Sequence, residues 1–275
     1  MGKSELREYA RELQEEIERL QGEVSTDDLT GVLTRKYFIR ELGDLIYRSH
    51  REDKMASAGV IDIDYFKQYN RDGHELGDRV LKGVAEAGRR VLRQYDLIGR
   101  YGGDKGDEFL AGILGWEING KNIIDRWRRE VGTIEVPPGF TTVTITGGVA
   151  DLNDSPEIQL LRGKRGTDAI MSYKEGEFDR AREYVGVLAD WLKTDAKADI
   201  DPIELYGALK RLDRSARDFM ESMGAEGDLV TYLEDPDFRY PLAATILTNY
   251  ADRALMAGKR KKKNRIWTPM DISSL

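Results

Sequence analysis

Apolar residues recur at Leu6, Ala10, Leu13, Ile17 and Leu20, at alternating spacings of four and three among charged neighbours. That is the seam of a coiled coil, and it predicts a pairing helix over 1–26. Below about three heptads, the same pattern serves equally well for a helix packed on its own domain. Turn and capping residues follow in "STDDLTG", and the globular part is expected to begin near Asp27. "RKYFIRELGDLIYRSHRED" then carries Tyr37, Phe38, Leu42, Leu45 and Ile46 at helical spacing. The stretch "ASAGVIDID" is short, rich in small and β-branched residues, and ends in acids. It reads as a buried strand that delivers Asp62 and Asp64 on one face to a sheet edge. Between Asp78 and Leu92 the apolar positions Val80, Leu81, Val84, Ala85, Val91 and Leu92 follow helical periodicity. Two further strands, "DLIGRYG" and "EFLAGIL", flank a glycine-rich turn and predict a hairpin. A helix over 117–131 and the strand "TTVTITGGVA" complete a β-α-β-β-α-β order. That order predicts an α+β fold: a ferredoxin-like antiparallel sheet flanked by helices, as in polymerase palms.

From 155 to 238 the character changes to amphipathic helices, such as "DRAREYVGVLADWLK" and "DPIELYGALKRLDRSARDFMESM", the second opened by an Asp-Pro start signal. The expected organisation is a pairing helix at 1–26, the first part of a palm at 27–154, a helical insertion at 155–238 and the rest of the palm at 239–275. Nothing in the residues of the insertion selects among a lid, an extension of a dimer and a docking surface.

Composition narrows the chemistry. With no cysteine and only two histidines, His50 and His74, the chain has no thiolate site and a histidine-built zinc site is disfavoured, so a metal would be held by oxygen. No apolar run reaches the ~18 residues of a membrane span, and the first residues lack a secretory signal's apolar core. The expected location is cytoplasmic. A net charge of -7 argues against broad nucleic-acid binding, although "GKRKKKNR" at 258–265 gathers positive charge in one place.

The stretch "RYGGDKGDEFLAGIL" sets acids and glycines at the hairpin tip, next to Asp62 if the two strands are sheet neighbours. Carboxylates so concentrated repel one another and stay ionised only with cations between them, and few oxygen ligands with room for water suit Mg²⁺. Gly102, Gly103 and Gly106 would let the backbone approach phosphates. From these residues alone, an acidic surface turn is an equal reading.

Four segments, "DDLTGVLTRKYF", "DIDYFKQYNRDGHELGDRVL", "YDLIGRYGG" with "DEF", and "ADRALMAGKRKKKNR", resemble in order and spacing the GGDEF family of diguanylate cyclases. The resemblance covers about 27–150 and 240–267. It implies condensation of two GTP, one on each of two facing subunits, to cyclic di-GMP and pyrophosphate, with Mg²⁺ or Mn²⁺ as cofactor. By resemblance, Asp62 and the carbonyl of Ile63 hold metal, and Phe66 and Lys67 face the phosphates. Asn70 and Asp78 match the pair that reads guanine, although an aspartate there also suits the N-cap of the following helix. His74 matches a family histidine and reads as structural. Lys259 matches a triphosphate-binding lysine, and Lys263 stands where an arginine is usual. Arg93 and Asp96, in "RQYD" five residues before "GGD", match the RxxD inhibitory site where product binds.

The chain departs from the family at "GGDKGDEF", which has three residues more than the uninterrupted signature. Counting back from Glu108 puts Asp107 at the second metal position, with Glu108 beside it as a further catalytic acid. Counting forward from Tyr101 puts Asp104 there instead. An odd insertion reverses the face of a strand, so the two frames exclude one another. Asp107 is preferred because Phe109 then keeps its burial, with Asp104 a third nearby acid or a loop residue. The loop from Asn70 to His74 is also one residue shorter than usual and carries Arg71 where the family has an acid. The leading expectation is a two-metal nucleotidyltransferase working as a homodimer through its first helix, without membrane. A related palm cyclase making another cyclic nucleotide, and a degenerate module sensing GTP or cyclic di-GMP, remain as alternatives.

Overall fold

The structure is a computed structural model that describes residues 25–52, 54–71, 73–102, 105–115, 120–161, 164–194, 200–225 and 229–273. The expected pairing helix falls outside these residues except at its last positions, and Asp104 falls outside them too. In chain order the elements are β1 (Leu33–Thr34), α1 (Arg35–Glu52), β2 (Met55–Ile63), a 3-10 turn at Phe66–Asn70, α2 (His74–Val91), β3 (Leu97–Gly102) and β4 (Lys105–Gly115). There follow α3 (Gly120–Val131), β5 (Ile145–Asp151), a 3-10 turn at Leu152–Asp154, α4 (Pro156–Leu160), α5 (Lys164–Lys174), α6 (Phe178–Thr194) and α7 (Pro202–Ser222). The last are α8 (Leu229–Glu234), α9 (Pro236–Lys259), β6 (Ile266–Trp267) and α10 (Pro269–Ser273).

The described strands form one sheet in the order β1-β3-β4-β2-β5-β6. Its four central members pair antiparallel, with β2 between β4 and β5. The two-residue strands at the edges, β1 against β3 and β5 against β6, run parallel, a departure from a purely antiparallel sheet. The architecture is the α+β palm.

Period-two alternation along β2 divides the core. Ala58 and Val60 face one apolar cluster, with Phe38, Leu42, Leu45 and Ile46 of α1 and Leu247, Ala251 and Leu255 of α9. Ile61 and Ile63 face the other, with Val80 and Val84 of α2 and Ile124 and Trp127 of α3. Each large aliphatic side chain so buried contributes roughly 1.5–3 kcal/mol. The helices from α4 to α8 extend the first cluster: Leu188, Leu192, Leu205, Leu209 and Leu212 belong to the same continuous apolar mass as Val60 and Leu110. Asp201 starts α7 by accepting from the Ile203 N–H at 2.8 Å, with Pro202 in the first turn, a cap worth about 1 kcal/mol. The approach of α9 to β5 depends on Gly148, where a Cβ would lie 2.0 Å from the Ala251 carbonyl oxygen. That contact seats α9 on the sheet and fixes where its far end, Lys259, arrives.

Candidate active site

Strand β2 ends at Asp62 and Ile63, and the chain turns sharply through Asp64 and Tyr65. Asp64 is 1 % exposed and accepts from the hydroxyls of Thr144 and Thr146, both at 2.8 Å, and from the backbone N–H of Asn264 at 3.0 Å. One buried carboxylate thereby ties the turn after β2 to strand β5 and to the basic segment after α9. Tyr65 takes left-handed backbone angles, with φ of 56°, which sends the chain into the turn Phe66–Asn70. The Lys263 ammonium sits 3.8 Å from the centre of the Tyr65 ring, a cation–π contact. Neither Asp64 nor Tyr65 was singled out from sequence as a site residue. The signal for Asp64 was its alternation with Asp62.

Asp62, Ile63, Phe66, Lys67, Asp107 and Lys263 line one cavity of about 420 Å³ at this end of the sheet. Phe66 is half-buried and packs against the second cluster, so it serves core and cavity together. Asp62 is 8 % exposed, and its Oδ2 lies 2.6 Å from the Lys259 ammonium. Burial raises its carboxyl above the ordinary aspartate range against the opposing pull of Lys259, and the charges of Asp107 and Asp64 push the same way.

Glu108 stands directly opposite Asp62 in the β2–β4 ladder and is 6 % exposed, and the next residue, Phe109, is wholly buried. Just before Asp107 the strand is gripped by Arg100, whose Nε donates to the Gly106 carbonyl at 2.8 Å. The Nη1 of the same guanidinium donates to both carboxylate oxygens of Asp27, at 3.0 and 3.1 Å. Burial opposes ionisation of Asp27, but hydrogen bonds from Thr30 and Arg100 outweigh it and hold the carboxyl below its usual range. Sequence reading missed Arg100, although it precedes "YGG" directly.

Asn70 and Asp78 do not line this cavity. Asn70 ends the 3-10 turn against the first turn of α2, where a Cβ on Gly77 would lie 1.8 Å from its Oδ1. Gly77 therefore makes the room that the Asn70 side chain occupies. The N-cap reading of Asp78 is corrected: α2 begins at His74 after Gly73, whose φ of 125° favours glycine, so Asp78 lies a turn inside the helix. His74 is exposed at the start of α2. Arg93 and Asp96 bracket the turn before β3, at the opposite end of the hairpin from Asp107. Asp96, 9 % exposed, accepts from the Arg93 N–H at 2.9 Å and the Leu114 N–H at 3.4 Å, while the Arg93 guanidinium donates to the Tyr95 hydroxyl at 2.8 Å.

Among the described residues no three His, Cys, Asp or Glu side chains gather as a metal site on their own. Two carboxylates, Asp62 and Asp107, and the Ile63 carbonyl are an all-oxygen set that fits a hard divalent cation keeping waters or phosphate oxygens in its remaining positions. No helix among the described residues is long and apolar enough to cross a membrane.

A palm sheet with acids at the paired ends of its two central strands and lysines around them is the class of domain that fold and site together define. The family described as "Diguanylate cyclase, GGDEF domain" matches residues 24–161, half of the chain. The chain belongs to that GGDEF family. It is 35% identical over 154 residues to the response regulator PleD of Caulobacter vibrioides, 51% of this chain and 32% of that protein. It is 37% identical over 108 residues to the diguanylate cyclase DgcP of Pseudomonas aeruginosa, 38% of this chain and 16% of that protein. A probable diguanylate cyclase of Escherichia coli, DgcC, is 30% identical over 179 residues, 64% of this chain and 47% of that protein. The chain thus spans less than half the length of each of these relatives. In fold it is similar to the coiled coil and GGDEF domain of DgcB from Caulobacter crescentus, a structure in complex with c-di-GMP, with a TM-score of 0.50 and 19% identity over 96% of each chain.

Proposed function

We propose that this protein is a nucleotidyltransferase that condenses two GTP to cyclic di-GMP and pyrophosphate. The observation that carries the reading is that Asp62 and Asp107 open on one cavity with Lys67 and Lys263, while Lys259 reaches Asp62 itself. A divalent cation, Mg²⁺ or Mn²⁺, held by Asp62, Asp107 and the Ile63 carbonyl would acidify the attacking 3′-hydroxyl and offset charge on the α-phosphate. Lys67, Lys259 and Lys263 neutralise a triphosphate that brings about four negative charges. Main-chain N–H groups of the turn beginning at Phe66 donate to its oxygens, and Glu108, opposite Asp62, adds to the negative field that draws in cations. Asn70 and Asp78 select guanine, since a carboxylate accepts from its N1–H and exocyclic amine, a pattern adenine does not present. Each subunit contributes half a site, so two copies must face one another, brought together by the heptad-patterned segment at 1–26. Product returning to Arg93 and Asp96 slows the reaction.

The test is incubation with each of the four NTPs and Mg²⁺, with pyrophosphate release measured and products identified by mass spectrometry. Cyclic di-GMP from GTP alone is the expected result. A product containing adenine contradicts the guanine selectivity, and no product from GTP contradicts the reading as a whole.

A further inference from the structure

Away from the acidic cavity, α7 meets α9 across a second cavity of about 440 Å³, lined by Arg211, Arg214 and Ser215 from α7 and by Asn249, Tyr250 and Arg253 from α9. Glu157 of α4 also lines it and is 3 % exposed. Its Oε1 accepts from Arg211 Nε at 2.6 Å and its Oε2 from the Tyr250 hydroxyl at 2.7 Å. Both carboxylate oxygens are therefore engaged, and the charge of Glu157 is matched by Arg211. Burial, then the hydrogen bond to Glu157, raises the Tyr250 hydroxyl far above its usual range, so it stays a donor. Of the remaining charges on the walls, Arg214 and Arg253 outnumber Asp218. Neither of these arginines has an ion-pair partner among the described residues, and Arg253 rests 5.5 Å from the Tyr250 ring centre. In a chain of net charge -7, a cleft with surplus guanidinium and with hydroxyl and amide donors from Ser215 and Asn249 is specific in what it accepts. Guanidinium groups match phosphate oxygens in pairs, and the volume falls in the roughly 300–1,000 Å³ range of small-molecule sites.

We propose that the cleft between α7 and α9 is a binding site for a phosphate-bearing small molecule, separate from the acidic cavity. Its position gives it consequence. Arg253 and Lys259 lie on the same helix, about 9 Å apart along its axis at 1.5 Å per residue. A ligand that bridges α7 and α9 braces the helix that carries Lys259 to Asp62.

The experiment is calorimetric titration of the whole chain with pyrophosphate, in the presence of a chelator and without divalent cation. Parallel titrations with inorganic phosphate and with GMP separate bare phosphate from a nucleotide as its source. The double variant Arg214→Gln, Arg253→Gln alters exposed positions only, and circular dichroism checks that it folds. Lys67→Gln, Lys263→Gln serves as the control for the acidic cavity. Loss of affinity by at least about tenfold in the arginine variant, with little change in the lysine variant, is expected. Binding that survives in the arginine variant and disappears in the lysine variant overturns the proposal, as does no binding of any of the three probes up to millimolar concentration. Neither outcome depends on turnover, so failure here is distinct from failure of the cyclase reading.

Discussion

The Lys259 ammonium lies 2.6 Å from Asp62 Oδ2, joining the end of α9 to the central strand of the sheet. Replacement Lys259→Met leaves the carboxylate in a site that already disfavours its charge. In chelator the variant is expected to lose about 1–3 kcal/mol of stability, less than a fully buried pair because Lys259 is partly solvated. With Mg²⁺ its KM for GTP should rise by about tenfold or more, from the loss of one charge-assisted contact. Thermal melts and steady-state pyrophosphate release measure the two effects, and an unchanged KM would contradict the triphosphate role.

Gly77 gives Asn70 its place. A methyl group at that position would come within 1.8 Å of Asn70 Oδ1, so Asn70 must move in Gly77→Ala. Helix propensity alone favours alanine by about 1 kcal/mol, which offsets part of the crowding. The expected outcome is nearly unchanged stability with a KM for GTP raised about tenfold and weaker discrimination against ATP. Unaltered selectivity would remove Asn70 from base recognition.

The ion pair of Asp27 with Arg100 has a defined pH signature. Because the folded carboxyl titrates below its ordinary value, its stabilisation is fully present above the unfolded pKa of about 3.9 and is lost as pH falls through the folded value. Asp27→Asn should therefore cost about 1 kcal/mol at neutral pH, with the gap to the parent closing under acid. Chemical denaturation at neutral and acidic pH tests this. A gap that widens toward acid pH contradicts it.

Arg93 and Asp96 should separate under substitution. Asp96 accepts from two backbone N–H groups, so Asp96→Ala leaves both without that partner and is expected to cost about 1–3 kcal/mol. Arg93 is exposed and contacts the Tyr95 hydroxyl, so Arg93→Ala should leave the melting temperature unchanged while relieving inhibition by added cyclic di-GMP. Inhibition that persists in Arg93→Ala places product control elsewhere.

Helical and strand periodicity made the core readable in advance: Phe38, Leu42, Leu45 and Ile46 are all fully buried, and β2 is buried along nearly its whole length. The parallel edges were not readable, because Leu33–Thr34 and Ile266–Trp267 are too short to show any period. The start of α2 was missed because Gly73 and His74 carry no capping side chain, whereas Asp78 looks like a cap and is not. The amphipathic helices between β5 and α9 declare an apolar face but not its partner, and that face joins the α1–α9 cluster. At the site, the acids and lysines stood out by their chemistry. Arg100 and Asp64 did not, because their roles consist of contacts with residues remote in sequence: Asp27 for one, Thr144, Thr146 and Asn264 for the other.

Mn²⁺ binding, followed by electron paramagnetic resonance in the presence of a non-hydrolysable GTP analogue, asks most directly whether the ends of β2 and β4 hold a divalent ion beside a triphosphate. Asp107 lines the cavity on which Asp62 opens, and it is the proposed second ligand. The expected result is tight binding in the parent and in Asp104→Asn, and loss of roughly a hundredfold or more in Asp62→Asn and in Asp107→Asn, as for removal of a charged metal ligand. Equal Mn²⁺ affinity in the parent and in both of the latter variants would contradict it.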